Sequence, residues 1–502
     1  MPHESLSSPS APCCCRGHSQ APRRQFLWDM GAGFAGVALS GLLQSDPSFA
    51  SRLAAASDSP AAPLLAPRPQ HFPTKAKSVI FLFMYGGPSQ MDTFDYKPEL
   101  QKRDGEEVKT EIRRRSIQVT RLLASRQKFA RHGESGLWCS DAFPYLSQHM
   151  DKLAVIKSLY ADSFAHGSAM LQMNSGRILQ GYPSMGAWMA YGLGSINQNL
   201  PGYVVMLDPR GGPISGAVNW SSGFMPAAYQ GTVFRSTGQP ILNLAAPPGR
   251  TSQMQREQIS AINQFNELHQ AKHPGYSELQ ARIASYELAF QLQRTAPESL
   301  DISEETAATQ EMYGIFDPKP DHPLSIGPTH FGRQCLIARR LVERGVRFVQ
   351  IYSGGGNQQT SWDAHFGQEE NMKIHAPEVD RPIAGLLADL EQRGLLDETL
   401  VIWGGEFGRQ PVSQGAQHGR DHNPKGFTYW MAGGGVKGGV SHGETDDLGM
   451  EAVENRHHIR DLHATILRLM GLDHQKLHFP YGGLDQKLTG VVDAEPIRAV
   501  IA

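Results

Sequence analysis

The sequence predicts an α/β protein built on a doubly wound, mainly parallel sheet with a helical insertion. Three observations carry that expectation. First, short β-branched and aromatic runs recur at Ser78 to Tyr85, Leu153 to Leu159, Tyr203 to Leu207, Val346 to Tyr352, Thr399 to Gly404 and Phe427 to Ala432. Second, these runs are continuously apolar rather than alternating, the pattern of strands buried on both faces. Third, amphipathic helices stand among them. Arg333 to Arg344, stopped by Gly345, precedes the fourth run, and Asp380 to Arg393, stopped by Gly394, separates the fourth from the fifth. In the latter Ile383, Leu386, Leu387 and Leu390 fall at helical spacing, so strand, helix and strand form a βαβ unit.

Ahead of the first strand the chain has another purpose. Pro22-Arg23-Arg24-Gln25-Phe26-Leu27 sets an arginine pair before an apolar, glycine-rich stretch from Met30 to Leu43. That is the pattern of a twin-arginine export signal, too short and too broken by glycine for a stable membrane span. Ala54-Ala55-Ala56 offers small residues for cleavage, which assigns residues 1–56 to the signal and 57–75 to a Pro-rich linker. Periplasmic or extracellular localisation, with the Tat export machinery as a transient partner, is the expectation. Cleavage removes Cys13, Cys14 and Cys15 and leaves Cys139 and Cys335, so no disulfide framework is implied.

The rest, residues 76–490, reads as one elaborated domain, with a polar, Gln/Glu-rich helical insertion over about 252–310. Lys plus Arg total 47 against 49 for Asp plus Glu. This balance, without a basic stripe, argues against nucleic acid as a partner.

The chemistry is concentrated just beyond the strands, where open parallel sheets bind their ligands. Gly86-Gly87-Pro88-Ser89-Gln90-Met91-Asp92 and Asp95 follow the first run, His166 and Ser168 the second, and Asp363 and His365 the fourth. Glu406 and Arg409 follow the fifth, and His422 comes soon after. Each alone is an ordinary turn or capping residue. Together, carboxylates and imidazoles from separate strand ends are the donor set of one or two divalent metals, with Zn, Mn, Mg and Ca all open.

These motifs resemble a known family. Gly-Gly-Pro-Ser-Gln-x-Asp-Thr-Phe-Asp (86–95), Trp-Asp-x-His (362–365), Gly-Glu-Phe-Gly-Arg (405–409), Gly-Arg-Asp-His (419–422) and Ala-Gly-Gly-Gly-Val-Lys-Gly-Gly (432–439) are similar to the exported family called domain of unknown function fifteen-oh-one, within the alkaline phosphatase and sulfatase superfamily. The resemblance implies an alkaline phosphatase-like fold and a metal site held by Asp92 (with Asp95 as its substitute), Asp363, His365, Glu406 and His422. It also implies a nucleophile ahead of Ser175-Gly176-Arg177, but His166 stands there instead of Cys or Ser. His166 is then a metal ligand or catalytic group, or Ser168 is the nucleophile, with Arg409 or Arg177 holding anionic oxygens. Without a covalent nucleophile, a water activated by metal takes its place. His457, His458 and His463, around Asp461, are expected to cap and pack a C-terminal helix, Asp461 to Met470.

Two classes of function follow. One is a metal-dependent hydrolase of phosphate or sulfate esters, on a small molecule or a polysaccharide. The other is a catalytically degenerate metal- or ligand-binding envelope protein of the same fold.

Overall fold

The computed structural model describes residues 64–112, 116–235, 249, 251–272, 298–356, 358–414 and 418–502. The expected export signal and most of the linker lie outside the described residues, as does much of the insertion. Residues 63–502 form one compact unit.

In chain order the strands of the main sheet and of the hairpin beside it are β1 (Ser78–Met84), β2 (Leu153–Tyr160), β3 (Tyr203–Met206), β4 (Thr232–Phe234), β5 (Phe348–Ser353), β6 (Thr399–Gly404), β7 (Gly408–Gln414), β8 (Gly419–Asn423), β9 (Phe427–Ala432), β10 (Val440–His442) and β11 (His457–His458). The helices that bear on the sheet and the site, with the longest described in the insertion, are α1 (Gln90–Thr93), α2 (His166–Ser175), α3 (Met185–Leu193), α4 (Ser252–Lys272), α5 (Thr329–Glu343), α6 (Gln368–Gln392) and α7 (Ile459–Leu469). A nine-stranded sheet runs in the order β10-β2-β9-β6-β1-β5-β3-β4, with β11 also paired to β2. β7 and β8 form a separate antiparallel hairpin.

All six apolar runs are strands of this sheet. Five of them are parallel to one another, whereas β9 is antiparallel to both β6 and β2. The connection explains the reversal: β6 reaches β9 through the β7–β8 hairpin and not through a crossover helix, so the chain returns in the opposite sense.

Alternation along the strands divides the core in two. Ile80, Leu82, Met84, Val401, Trp403 and Trp430 face α5 and α6, while Val79, Phe81, Phe83, Leu400, Ile402 and Tyr429 face α2, α3 and α7. Burial on both faces is the reason the strands carry no polar alternation. Helix α6 begins well before the expected Asp380, despite Pro377 and Pro382 inside it. Met372, Ala376, Val379, Ile383, Leu386, Leu387 and Leu390 are buried along it. That long apolar stripe outweighs the two prolines, each of which removes one helical donor.

Strand polarity brings the ends of β1, β2, β5 and β6 to one side of the sheet. Two glycines let the loops there close together. A Cβ on Gly86, whose φ is +112°, would collide with the Asp363 amide nitrogen, and one on Gly419 would collide with the His365 carbonyl. Both obstacles are backbone, which cannot swing aside. Gly419→Ala is therefore expected to destabilise the protein by about 1–3 kcal/mol, as overpacking does. A thermal melt indistinguishable from wild type would show that the β8 edge can move away freely.

Asp380 ties α6 to the turn before β2, accepting hydrogen bonds from the amides of Tyr145 (3.0 Å) and Leu146 (2.7 Å). Burial outweighs these bonds and pushes its carboxyl up to about 6. A raised acid favours folding in its protonated form. Its contribution is full below about pH 4 and is lost as pH rises through about 6. The stability difference between wild type and Asp380→Asn should accordingly move against the wild type, by up to about 3 kcal/mol, between those limits in urea titrations. A difference independent of pH would mean that this carboxyl titrates normally.

Candidate metal centre

Four side chains from two strand ends and one hairpin meet at a single oxygen. Asp363 and His365 lie on the loop after β5, His166 opens α2, and His422 is on β8, in register with Arg409 on β7. Asp363 Oδ1 lies 3.2 Å from His166 Nε2, 3.1 Å from His365 Nε2 and 3.2 Å from His422 Nε2. One ligand atom from each of the four lies within 4.8 Å of the others.

The far side of each ring is fixed by an oxygen. His166 Nδ1 is 2.5 Å from Glu406 Oε1, His365 Nδ1 is 2.5 Å from Gln414 Oε1, and His422 Nδ1 is 2.7 Å from the Phe164 carbonyl oxygen. A carbonyl and a carboxylate only accept, so His166 and His422 carry a proton on Nδ1, and the Gln414 amide oxygen asks the same of His365. With an ion bound, neutral imidazoles in that tautomer would present three Nε2 lone pairs to one point beside a carboxylate, His166 giving up its Nε2 proton on binding. An oxygen bonded to Nδ1 is the arrangement that orients histidine ligands in metal sites.

The neighbouring groups reinforce this geometry. Burial works against a charged His166, but the carboxylates of Asp363 and Glu406 outweigh it and push the imidazole up to about 9. Its buried Nε2 nevertheless has no aligned hydrogen-bond partner. Burial pushes His422 down to about 3 despite the adjacent Asp363. Burial also opposes charge on Asp363, yet the three imidazoles and Arg409 hold its carboxyl far below the usual carboxylate range. Phe407 closes one wall, its ring 4.8 Å from that of His166 and 4.4 Å from that of His422. Tyr85 meets His166 edge-on at 5.9 Å, and burial pushes its hydroxyl up to about 12.

A His3-Asp set fits a divalent ion of borderline softness. Donors at about 2.0–2.2 Å in a tetrahedron lie about 3.3 Å apart, close to the separations between Asp363 Oδ1 and the three nitrogens. The unpartnered Nε2 of His166 is the atom such an ion would satisfy.

Several expected site residues have other work. Asp92 is not in the group: its Oδ2 accepts from Arg420 Nε at 2.9 Å and from Ser89 Oγ at 2.5 Å, balancing a fully buried guanidinium. Asp95, its substitute, binds Thr445 and Lys97. Glu406, expected as a ligand, stands behind His166 and accepts the Gly86 amide at 3.0 Å. Arg409 is fully buried, and all three of its guanidinium nitrogens donate to protein oxygens: Gly86, Gly87 and Arg420 carbonyls, and Asp363 Oδ1 at 2.7 Å. It holds Asp363 in place instead of presenting a fork to an anion. Ser168 turns away, with Oγ 2.5 Å from Ser163 Oγ. Arg177 lies over the Tyr182 ring. The residues missed are Gln414, Phe407 and the Phe164 carbonyl. Phe407 sits inside the Gly-Glu-Phe-Gly-Arg motif, whereas nothing in the sequence marks Gln414.

Among solved structures, a sulfatase from Pseudoalteromonas sp. is 12% identical, covering 83% of this chain and 72% of that one at a TM-score of 0.32. The alkaline phosphatase from the Antarctic bacterium TAB5 is 10% identical, covering 79% and 99% at 0.31. A lipoteichoic acid synthase from Listeria monocytogenes is 10% identical, covering 88% and 80% at 0.30. Overlaps this loose carry no residue assignment across. No curated protein matches the chain. A family model does, over residues 76–501, a span that takes in the whole sheet and every residue of the cluster, and the chain belongs to the family described as protein of unknown function (DUF1501).

Proposed function

We propose that this protein is an exported, metal-dependent hydrolase of phosphate or sulfate esters, acting on a small molecule or a polysaccharide outside the cytoplasm. The observation that carries the reading is the convergence of three Nε2 atoms, each ring held at Nδ1 by an oxygen, on Asp363. His166, His365, His422 and Asp363 would hold the ion. When bound it would supply Lewis acidity toward an ester oxygen and a source of nucleophilic water near neutral pH. Zn, Mn, Mg and Ca were all open from the sequence; three imidazoles to one carboxylate favour Zn or another transition ion.

The chain's own residues supply the rest. Glu406 fixes the His166 ring, Gln414 that of His365, and Arg409, with the imidazoles, keeps Asp363 ionised. Phe407 and Tyr85 exclude water from one side of the rings. With Ser168 turned onto Ser163, the reading has water as the nucleophile and not a serine hydroxyl. A second reading, metal binding without turnover, is favoured by Arg409, whose donors are already engaged.

Metal analysis of the purified protein and a screen of aryl phosphates and sulfates test the proposal. His365→Ala and His422→Ala should each remove about one equivalent of metal together with activity, while Glu406→Gln should weaken metal binding about 10–100-fold. Ser168→Ala should leave both near wild type; loss of turnover with metal retained would make Ser168 the nucleophile. Metal bound by wild type without hydrolysis of any ester would favour the second reading. No metal at all would remove both.

Export is checked separately. Lysine at both Arg23 and Arg24 should leave the precursor in the cytoplasm, because the transport machinery reads the guanidinium pair as an address. Unchanged export would eliminate the twin-arginine route.

A further inference from the structure

Away from the cluster, a second pair of imidazoles meets at the edge of the sheet. Strands β10 and β11 lie end to end along β2, with His442 opposite Ile156 and His457 opposite Leu159. The two histidines flank the gap between these short strands, and their side chains reach across it until Nε2 of one is 3.0 Å from Nε2 of the other. Their rings are 5.1 Å apart and inclined at 32°. Both residues are half-buried.

One ring is braced from behind. His457 Nδ1 lies 3.4 Å from Asp461 Oδ2, and Asp461 Oδ1 accepts the Glu495 amide at 3.1 Å. The carboxylate is thus held through both oxygens. A carboxylate only accepts, so the His457 proton sits on Nδ1 and its Nε2 lone pair points at His442. The neighbouring histidines are differently engaged: His458 Nδ1 accepts the Arg460 amide as a helix cap, and His463 Nε2 faces the Met173 carbonyl. Capping and packing therefore describe these two, but not His457.

We infer that His442 and His457 form a second site, for a divalent transition-metal ion, with Asp461 as the residue that orients His457. Two imidazole nitrogens bound to one ion at about 2.0–2.1 Å with a tetrahedral angle lie about 3.3 Å apart. The pair needs to open by only about 0.3 Å to admit it. Two nitrogen donors select Zn2+, Cu2+ or Ni2+ over the hard ions Mg2+ and Ca2+. The remaining coordination positions face the protein surface, open to water or to the exposed Glu454 carboxylate, whose charge acts on His442. The site is independent of the cluster at Asp363 and stands whether or not that cluster is catalytic.

Cu2+ is the probe, being the tightest binder of imidazole in the divalent series. The metal-stripped full chain is titrated with it calorimetrically, and the bound ion is examined by electron paramagnetic resonance. The same is done with His365→Ala/His422→Ala, which removes the first cluster. That variant should still bind about one ion with two nitrogen ligands, displaceable by a large excess of Zn2+ but not by millimolar Mg2+. Adding His442→Ala or His457→Ala should abolish this binding, and adding Asp461→Asn should weaken it about 10–100-fold without changing the number of sites. If the double variant does not fold, His442→Gln in the otherwise wild-type chain decides: it should lose one equivalent and keep any other. Unchanged binding without His442, or binding with no nitrogen signature, would leave a plain N–H···N hydrogen bond between the rings and overturn the site.

Discussion

The cleft depends on one carboxylate. Asp363 Oδ1 is shared by Arg409 and three imidazoles, and a buried charge of that kind persists only when its surroundings compensate it. The compensation comes from three parts of the chain, so the loops after β2 and β5 and the β7–β8 hairpin must all arrive together. Arg409 links the arrangement to β1 by donating to the carbonyls of Gly86 and Gly87. The Gly86 amide in turn donates to Glu406, which holds His166. Removing one member would strand the others.

The arginines show how the charges are apportioned. Gly-Glu-Phe-Gly-Arg and Gly-Arg-Asp-His each contribute one fully buried guanidinium to the hairpin. Arg409 takes Asp363 from the β5 loop, and Arg420 takes Asp92 from α1. In the sequence Asp92 and Asp363 are both acids in turns after apolar strands, although Asp363 alone has a histidine two residues on. The fold completes the separation, because only Asp363 has three imidazoles around it as well as an arginine. A strand-end acid is therefore a sound sign of a buried charge and a weak sign of what neutralises it.

This sets what sequence could disclose. Strand positions were legible because burial on both faces leaves a continuous apolar signature. The direction of β9 was not, since an antiparallel strand buried on both faces has the same composition as a parallel one. The start of α6 was obscured by Pro377 and Pro382, whose local preference is overridden by the stripe from Met372 to Leu390. At the site, His166, Asp363, His365 and His422 stand out as polar residues beyond apolar strands. The partners that set their tautomers do not, because a glutamine on a hairpin and a loop carbonyl carry no pattern of their own.

The two histidine sets differ in what surrounds them, and the difference bears on their chemistry. Around Asp363 three rings are each fixed at Nδ1, and those of His166 and His422 are backed by Phe407, so their geometry is set before any ligand arrives. At the sheet edge one ring of two is braced, by Asp461, and the open side faces solvent. Preorganisation of several donors in a sheltered cleft favours tight, lasting binding and strong electrostatic effects on a bound substrate. Two donors at an edge favour exchange with ions in the surroundings.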